Sequence, residues 1–143
     1  MMARNMLTQK CTGFVGTATT LLDTKDMVDG QKAGLLTIGD KFYGIGVTKG
    51  NGKLYIYMEY RNDVTLLQEI DMQKICLSVT YNASLNKFQF YYGKDKDNLM
   101  PYGVPFSLKN GFWKGCRVGL YTYNSERDGG TAHFDWFDYP IKQ

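Results

Sequence analysis

Fourteen carboxylates and one imidazole are the groups in this 143-residue chain best suited to moving protons. Hydrolysis of a glycosidic bond generally takes two carboxyl groups about 5–10 Å apart. Most of the acids fall in turn-like segments: Asp23, Asp26, Asp29, Asp40, Asp63, Asp71, Asp95, Asp97, Glu126 and Asp128. Acids in such places are usually just solvated. Glu59 and Asp135 are the exceptions, each inside an alternating apolar run, and nothing in their spacing marks them as a pair. Independent hydrolysis by this chain is therefore not expected. A Ser-His-Asp device would need His133 as its base, and no GxSxG elbow is present to carry the nucleophile. The three cysteines, Cys11, Cys76 and Cys116, have no CxxC spacing, which leaves no tetrahedral zinc set. Their odd number argues against a complete disulfide framework. Cys76 and Cys116 sit in strand-like apolar runs and read as buried thiols.

The aromatic residues offer a different chemistry, that of binding. There are 11 Tyr, 8 Phe and 2 Trp. In the run Lys53 to Tyr60, Leu54, Ile56 and Met58 alternate with Tyr55, Tyr57 and Glu59. If Val118 and Leu120 face a core, then Arg117, Tyr121 and Tyr123 face away from it. Gln89 and Tyr91 likewise alternate with Phe88, Phe90 and Tyr92. A flat ring with polar neighbours complements both the CH face and the hydroxyl rim of a sugar. Tyr55, Tyr57, Tyr91, Arg117, Tyr121 and Tyr123 are thus candidate carbohydrate contacts. Two other readings fit the same pattern. Tyrosine simply suits half-exposed strands, and an outward aromatic surface also suits packing on another domain. The segment Lys109 to Gly115 adds Phe112 and Trp113, two large rings flanked by Gly111 and Gly115. They are either ligand contacts or a plug at one end of the fold.

Strands must carry these groups. No window of 11 or more residues keeps a helical apolar period. Short alternating runs separated by turn residues recur instead: Met6–Gln9, Gly16–Leu22, Lys32–Ile38, Phe42–Lys49, Lys53–Tyr60, Ile75–Tyr81, Lys87–Tyr92, Cys116–Tyr123 and Thr131–Tyr139. Gly50-Asn51-Gly52 is a hairpin signal. The stretch from Leu66 to Cys76 divides into two strands around Asp71-Met72-Gln73-Lys74. About ten or more strands with frequent turns spell an all-β sandwich or barrel. No linker or repeat interrupts residues 3–140, which read as a single domain. Hydrophobic content of 43% and charged content of 22% are ordinary for a globular domain. At this length a real core forms without disulfides or metals. The net charge of +3 is scattered, with Lys94 and Lys96 cancelled by Asp95 and Asp97, so the basic stripe of a nucleic-acid binder is missing. No run of 18 apolar residues offers a membrane span. The opening residues lack a signal-peptide apolar region, and location stays unassigned.

Several segments in order resemble one known family. They are Ala3-Arg4-Asn5-Met6-Leu7-Thr8-Gln9 with Thr17-Ala18-Thr19, then Asp29-Gly30-Gln31-Lys32-Ala33-Gly34-Leu35, then Tyr43-Gly44-Ile45-Gly46-Val47. The close is Gly115-Cys116-Arg117-Val118-Gly119-Leu120-Tyr121, Gly129-Gly130 and Phe134-Asp135-Trp136-Phe137-Asp138-Tyr139. Together they resemble the C-terminal concanavalin A-like domain of glycoside hydrolase family 43 β-xylosidases and α-L-arabinofuranosidases. The likeness runs from Ala3 to Tyr139. His133 departs from it, standing where the family more commonly has an acid.

The resemblance implies a jelly-roll sandwich of two curved antiparallel sheets. It implies that the catalytic carboxylates belong to an N-terminal five-bladed propeller, with Met1-Met2 standing where that propeller would end. This chain then acts as a non-catalytic accessory domain. It docks on the propeller and helps shape a pocket for xylan- or arabinan-derived oligosaccharides, with Phe112 or Trp113 as the loop residue reaching that pocket. Phe134, Trp136 and Phe137 are expected to include core anchors. Sandwiches of this broad class often hold a structural calcium through an acid on the last strand, here Asp135. That acid alternates with Phe134 and Trp136 and points away from their face. The alternative for Asp135 is a solvent-facing charge that balances Arg117 or Lys142. No other cofactor is expected. Two further functions stay open: an autonomous carbohydrate-binding module using the tyrosine face, and an independent glycosidase.

Overall fold

In a computed structural model, residues 5–10, 15–38, 42–60, 63–82, 87–107, 117–124 and 132–138 are described. They form eleven strands and no helix. These are β1 (Asn5–Lys10), β2 (Val15–Asp23), β3 (Gln31–Ile38), β4 (Phe42–Gly50), β5 (Lys53–Tyr60), β6 (Asp63–Ile70), β7 (Lys74–Asn82), β8 (Lys87–Gly93), β9 (Leu99–Ser107), β10 (Arg117–Asn124) and β11 (His133–Asp138).

The strands pair antiparallel into two sheets. One has six strands in the order β1-β10-β3-β4-β5-β6, the other five in the order β11-β2-β7-β8-β9. The all-β sandwich read from the sequence is the observed fold. The expected split at Asp71 to Lys74 is also present, as the gap between β6 and β7. Gly50-Asn51-Gly52 makes a tight turn between β4 and β5. Asn51 at φ 53° and Gly52 at φ 76° both take the left-handed region that a two-residue hairpin requires, and Gly50 pairs with Lys53 across it.

Strand β9 had no clear sequence signal. It contains Pro101, Gly103 and Pro105, which weaken a strand pattern. It survives because it is an edge strand, where a missing amide costs little. Its register against β8 slips between Phe88 and Phe90. Gly103, at φ 78°, lies in that bulge, and the Gln89 side-chain amide donates to the carbonyls of Tyr102 and Gly103 at 3.3 and 3.2 Å.

Alternation sends one face of each sheet inward. The six-stranded sheet contributes Ala33, Leu35, Ile45, Val47, Ile56, Met58, Val118 and Leu120, all buried. The five-stranded sheet answers with Ala18, Leu22, Ile75, Leu77, Val79, Phe88 and Phe90. Aromatic rings stitch the two together. Tyr43 stacks on Tyr60 at 4.8 Å between centroids and meets the edge of Phe88 at 5.0 Å. Phe88 meets Phe90 at 5.5 Å, edge to face. The Tyr102 hydroxyl crosses from β9 to donate to the Ile56 carbonyl on β5, at 3.4 Å.

Along the last strand Phe134 packs against the core, and the register slips between it and Trp136, so that Phe134 pairs with Leu22 and Trp136 with Leu21; the side chain of Trp136 lies outside the described residues. A bulge breaks simple alternation, and no sequence period announces it.

Candidate functional site

The outer face of the six-stranded sheet brings two tyrosines, a carboxylate and an ammonium together. Register sets its rows. Tyr121 on β10, Gly34 on β3, Gly46 on β4 and Tyr57 on β5 lie side by side across four neighbouring strands. The two glycines leave a channel between the two tyrosines. A β-carbon at Gly34 would lie 2.2 Å from the Ile45 carbonyl oxygen, and one at Gly46 would lie 2.8 and 3.0 Å from the Tyr57 and Tyr121 hydroxyls. The rings therefore fold inward over Gly46, and their hydroxyls share a hydrogen bond. With Leu36 they make a second small buried cluster, on the opposite side of the sheet from the sandwich core.

A charge pair lies beside this bridge. Glu59 is 0% exposed, and Lys32 Nζ sits 2.9 Å from its Oε1. The same ammonium lies 5.3 Å from the centre of the Tyr57 ring, in cation–π range. Lys32 keeps its side chain 20% exposed, so it is the wet end of an otherwise closed group. A buried carboxylate is tolerated only when it is paired and hydrogen-bonded. Lys32 pairs with one of its oxygens, and Gly44 faces Glu59 across the sheet and leaves room for the side chain.

The candidate contacts named from the sequence thus separate. Tyr57 and Tyr121 come together, but as buried partners of one another, at 0% and 1% exposure. They offer no open ring face, which corrects the expectation that they form an outward surface. Tyr55 is half-buried on the same face, in the row of Lys32, Thr48 and Glu69, and Arg117 is exposed at the far end of β10. Tyr91 is half-buried on the other sheet, paired with Ser78 of β7. It cannot share a platform with Tyr55, because the whole sandwich lies between them. Gln89 is occupied by the β9 bulge. The side chain of Tyr123 and all of Phe112 and Trp113 lie outside the described residues.

Sequence reasoning missed the glycine channel and Lys32. The signal was available in Gly34 on β3 and in Gly44 and Gly46, two apart on β4, but their meaning depends on which strands lie beside β3 and β4.

Glu59 and Asp135, the two acids singled out in the sequence, lie on different sheets. Glu59 is on β5 of the six-stranded sheet, and Asp135 is on β11 of the five-stranded one. Asp135 faces Lys74 Nζ at 3.6 Å; Lys142 lies outside the described residues. Among the described residues no three His, Cys, Asp or Glu side chains gather to hold a metal. Calcium needs six to eight oxygen ligands. The described partner of Asp135 is the Lys74 ammonium. His133, the lone imidazole, pairs with Asp26 Oδ2 at 2.6 Å, on the exposed surface.

The remaining described acids serve turns and ends. Burial pushes the Asp23 carboxyl up. Hydrogen bonds from the Lys25 amide and the Gln73 side chain, with the charges of Lys25 and Lys74, outweigh that and hold it below the ordinary value. Asp95 is likewise held low, first by Asn98 and also by the Asp97 amide. Cys76 is fully buried, and burial reinforced by Asp95 pushes its thiol up to about 11. This is the inert thiol expected of an apolar run.

Known proteins agree on what this sandwich is. Residues 1–140 match the family described as the β-xylosidase C-terminal concanavalin A-like domain. A β-xylosidase of Formosa agariphila is 33% identical over 140 residues, which is 96% of this chain and 23% of that protein. A putative β-xylosidase of Xylanibacter ruminicola is 33% identical over 121 residues, or 85% of this chain and 22% of that one. A solved bifunctional GH43-CE protein of Bacteroides eggerthii superposes with a TM-score of 0.86 at 28% identity, over 99% of this chain and 19% of that chain. The chain thus spans less than a quarter of the length of the curated relatives it matches. From its first strand to its last, this sandwich belongs to the β-xylosidase C-terminal concanavalin A-like domain family of glycoside hydrolase family 43.

Proposed function

We propose that this chain is a non-catalytic accessory domain of a family 43 glycoside hydrolase. It packs against a catalytic propeller and helps shape that enzyme's site for xylan- or arabinan-type oligosaccharides. The observation that carries this reading is the closed outer face of the six-stranded sheet. Tyr57, Tyr121 and Glu59 are all buried there, the two hydroxyls sharing a hydrogen bond and the carboxylate pairing with Lys32. A sugar platform needs a ring face open to the ligand, and this face is spent on internal contacts. Family membership supports the rest, since the matched relatives are called β-xylosidases and are more than four times as long as the matched segment.

Calorimetric titration of the purified chain with xylo- and arabino-oligosaccharides tests the proposal. No heat is expected up to millimolar ligand from a folded sample, and no release of xylose from an aryl-xyloside. Saturable heat that disappears in Tyr55→Ala or Tyr91→Ala would instead identify an autonomous binding module. Turnover of the aryl-xyloside by the chain alone would make it an enzyme.

A further inference from the structure

Among the described residues the exposed large hydrophobics are Val64, Leu66, Leu67 and Met100, and all four lie on β6 and β9. Those are the end strands of the two sheets on one side of the sandwich. They adjoin there, because a β-carbon at Gly103 of β9 would touch Met58 and come within 3.4 Å of Leu66 of β6. Leu67 is the most open of the four, at 59%. It stands opposite Tyr57, on the outer face, while Leu66 stands opposite Met58, on the core side. The apolar surface therefore wraps around the rim of β6 rather than lying on one face.

The two edges are protected very differently. β9 carries Pro101 and Pro105 and a bulge at Gly103, devices that keep a strand edge from recruiting another chain. β6 reads Asp63-Val64-Thr65-Leu66-Leu67-Gln68-Glu69-Ile70, with no proline and no lysine. Its register irregularity lies near Thr65, and from Leu66 to Ile70 the pairing with β5 runs without a break. β6 is thus guarded at its start, by Asp63 and the irregularity at Thr65, while the exposed Leu66 and Leu67 beyond it leave an apolar stretch of edge of the kind that marks an interaction surface.

We propose that the β6 rim, centred on Leu66 and Leu67 with Met100 at its margin, is the surface that packs against the catalytic domain. This rests on the accessory-domain reading above and adds the contact surface to it. The choice of occupant follows from chain length. The matched relatives carry more than three-quarters of their residues outside this segment, at 22% and 23% coverage, so a large body in the same chain is at hand to cover the rim. Interfaces between domains of one chain are of this kind, a modest apolar centre with polar surroundings. Gln68 and Glu69 supply such surroundings at the end of β6.

The test places this chain in the Formosa agariphila β-xylosidase in exchange for the segment it matches. Amide hydrogen exchange is then followed in the chimera and in the isolated chain. The expected result is at least tenfold slower exchange across Leu66 to Gln68 in the chimera, lost in Leu67→Asp while the rest of the sandwich stays protected. A chimera that unfolds in one coupled transition, yet exchanges at β6 as fast as the isolated chain, overturns the rim as the contact surface and leaves the docking reading standing. Two independent unfolding transitions with no new protection anywhere overturn the docking reading and this inference with it. An isolated chain that sediments as a dimer with β6 already protected assigns the rim to a second copy and also overturns the inference.

Discussion

The outer face of the six-stranded sheet and the β6 rim beside it treat polar and apolar groups in opposite ways. On the face, a carboxylate and two phenols are buried. At the rim, a few ångströms of backbone away, two adjacent leucines stand in solvent. Tyr57 and Leu67 are register partners, yet one is 0% exposed and the other 59%. The difference teaches that burial here follows neighbours, not hydrophobicity. Tyr57 has Gly46 on one side and Tyr121 beyond it, so its ring lies down and its hydroxyl is satisfied. Leu67 has a strand on one side only and stands open to solvent. The face has the character of internal architecture, and the rim that of an exposed apolar edge.

The comparison breaks most readily at the glycine channel. Gly34→Ala places a β-carbon against the Ile45 carbonyl and the Gly46 Cα, which are backbone atoms that cannot rotate away. We expect a loss of about 3 kcal/mol, at the upper end of overpacking effects, read by urea denaturation. A loss below about 0.5 kcal/mol, the range of ordinary surface changes, would mean that the channel does not organise the face.

The charge pair comes next. Lys32→Met leaves Glu59 buried without its ammonium. Removing one partner of a buried pair costs roughly 3–5 kcal/mol, and the partial exposure of Lys32 puts this case nearer 2 kcal/mol, after discount for solvent screening. The double variant Lys32→Met with Glu59→Leu should recover most of that loss, since an apolar replacement of both partners is often neutral. If the double variant is as unstable as the single one, the pair is not what closes the face.

A smaller effect is expected at the end of the sandwich. The Asp23 carboxyl titrates lower in the fold than in the unfolded chain. Its contribution is therefore complete above the unfolded value and is lost as pH falls through the folded one, from about pH 5 downward. Asp23→Asn should flatten part of the decline in melting temperature between pH 5 and pH 3 while leaving pH 7 to 8 behaviour parallel to wild type. Identical acid limbs would show that the Lys25 and Gln73 contacts do not stabilise the ionised form.

The smallest effect belongs to the rim. Leu67→Lys should change the stability of the isolated chain by about 0.5 kcal/mol or less, as for an open surface position. A loss of 2 kcal/mol or more in that variant would mean that Leu67 packs within this chain, and the contrast between face and rim would collapse.

Much of this was legible before any coordinates. The alternation of Leu54, Ile56 and Met58 with Tyr55, Tyr57 and Glu59 assigns each residue its side of β5, and the core contains the first set as expected. The break at Asp71 to Lys74 and the Asn51-Gly52 turn were equally plain. Strand β9 was hidden because its prolines contradict a strand pattern unless the strand is known to be an edge. The bulge at Asp135 was hidden because a one-residue slip leaves no trace in composition. Tyr91 was grouped with Tyr55 because alternation tells inside from outside and not which outside.

By itself the sequence determined the sides of the strands, the turns between them and the sandwich they must form. These depend on contacts between residues a few positions apart, where backbone geometry has only two choices, in or out. Tertiary structure alone decided that Tyr121 reaches Tyr57 across Gly34 and Gly46, that Lys32 finds Glu59, and that Leu67 stays open to solvent. Those outcomes depend on strand order, and β10 stands next to β3 only because the chain crosses from one sheet to the other between them. Pairing over such distances in sequence is settled by the packing of the whole fold, which no local period encodes.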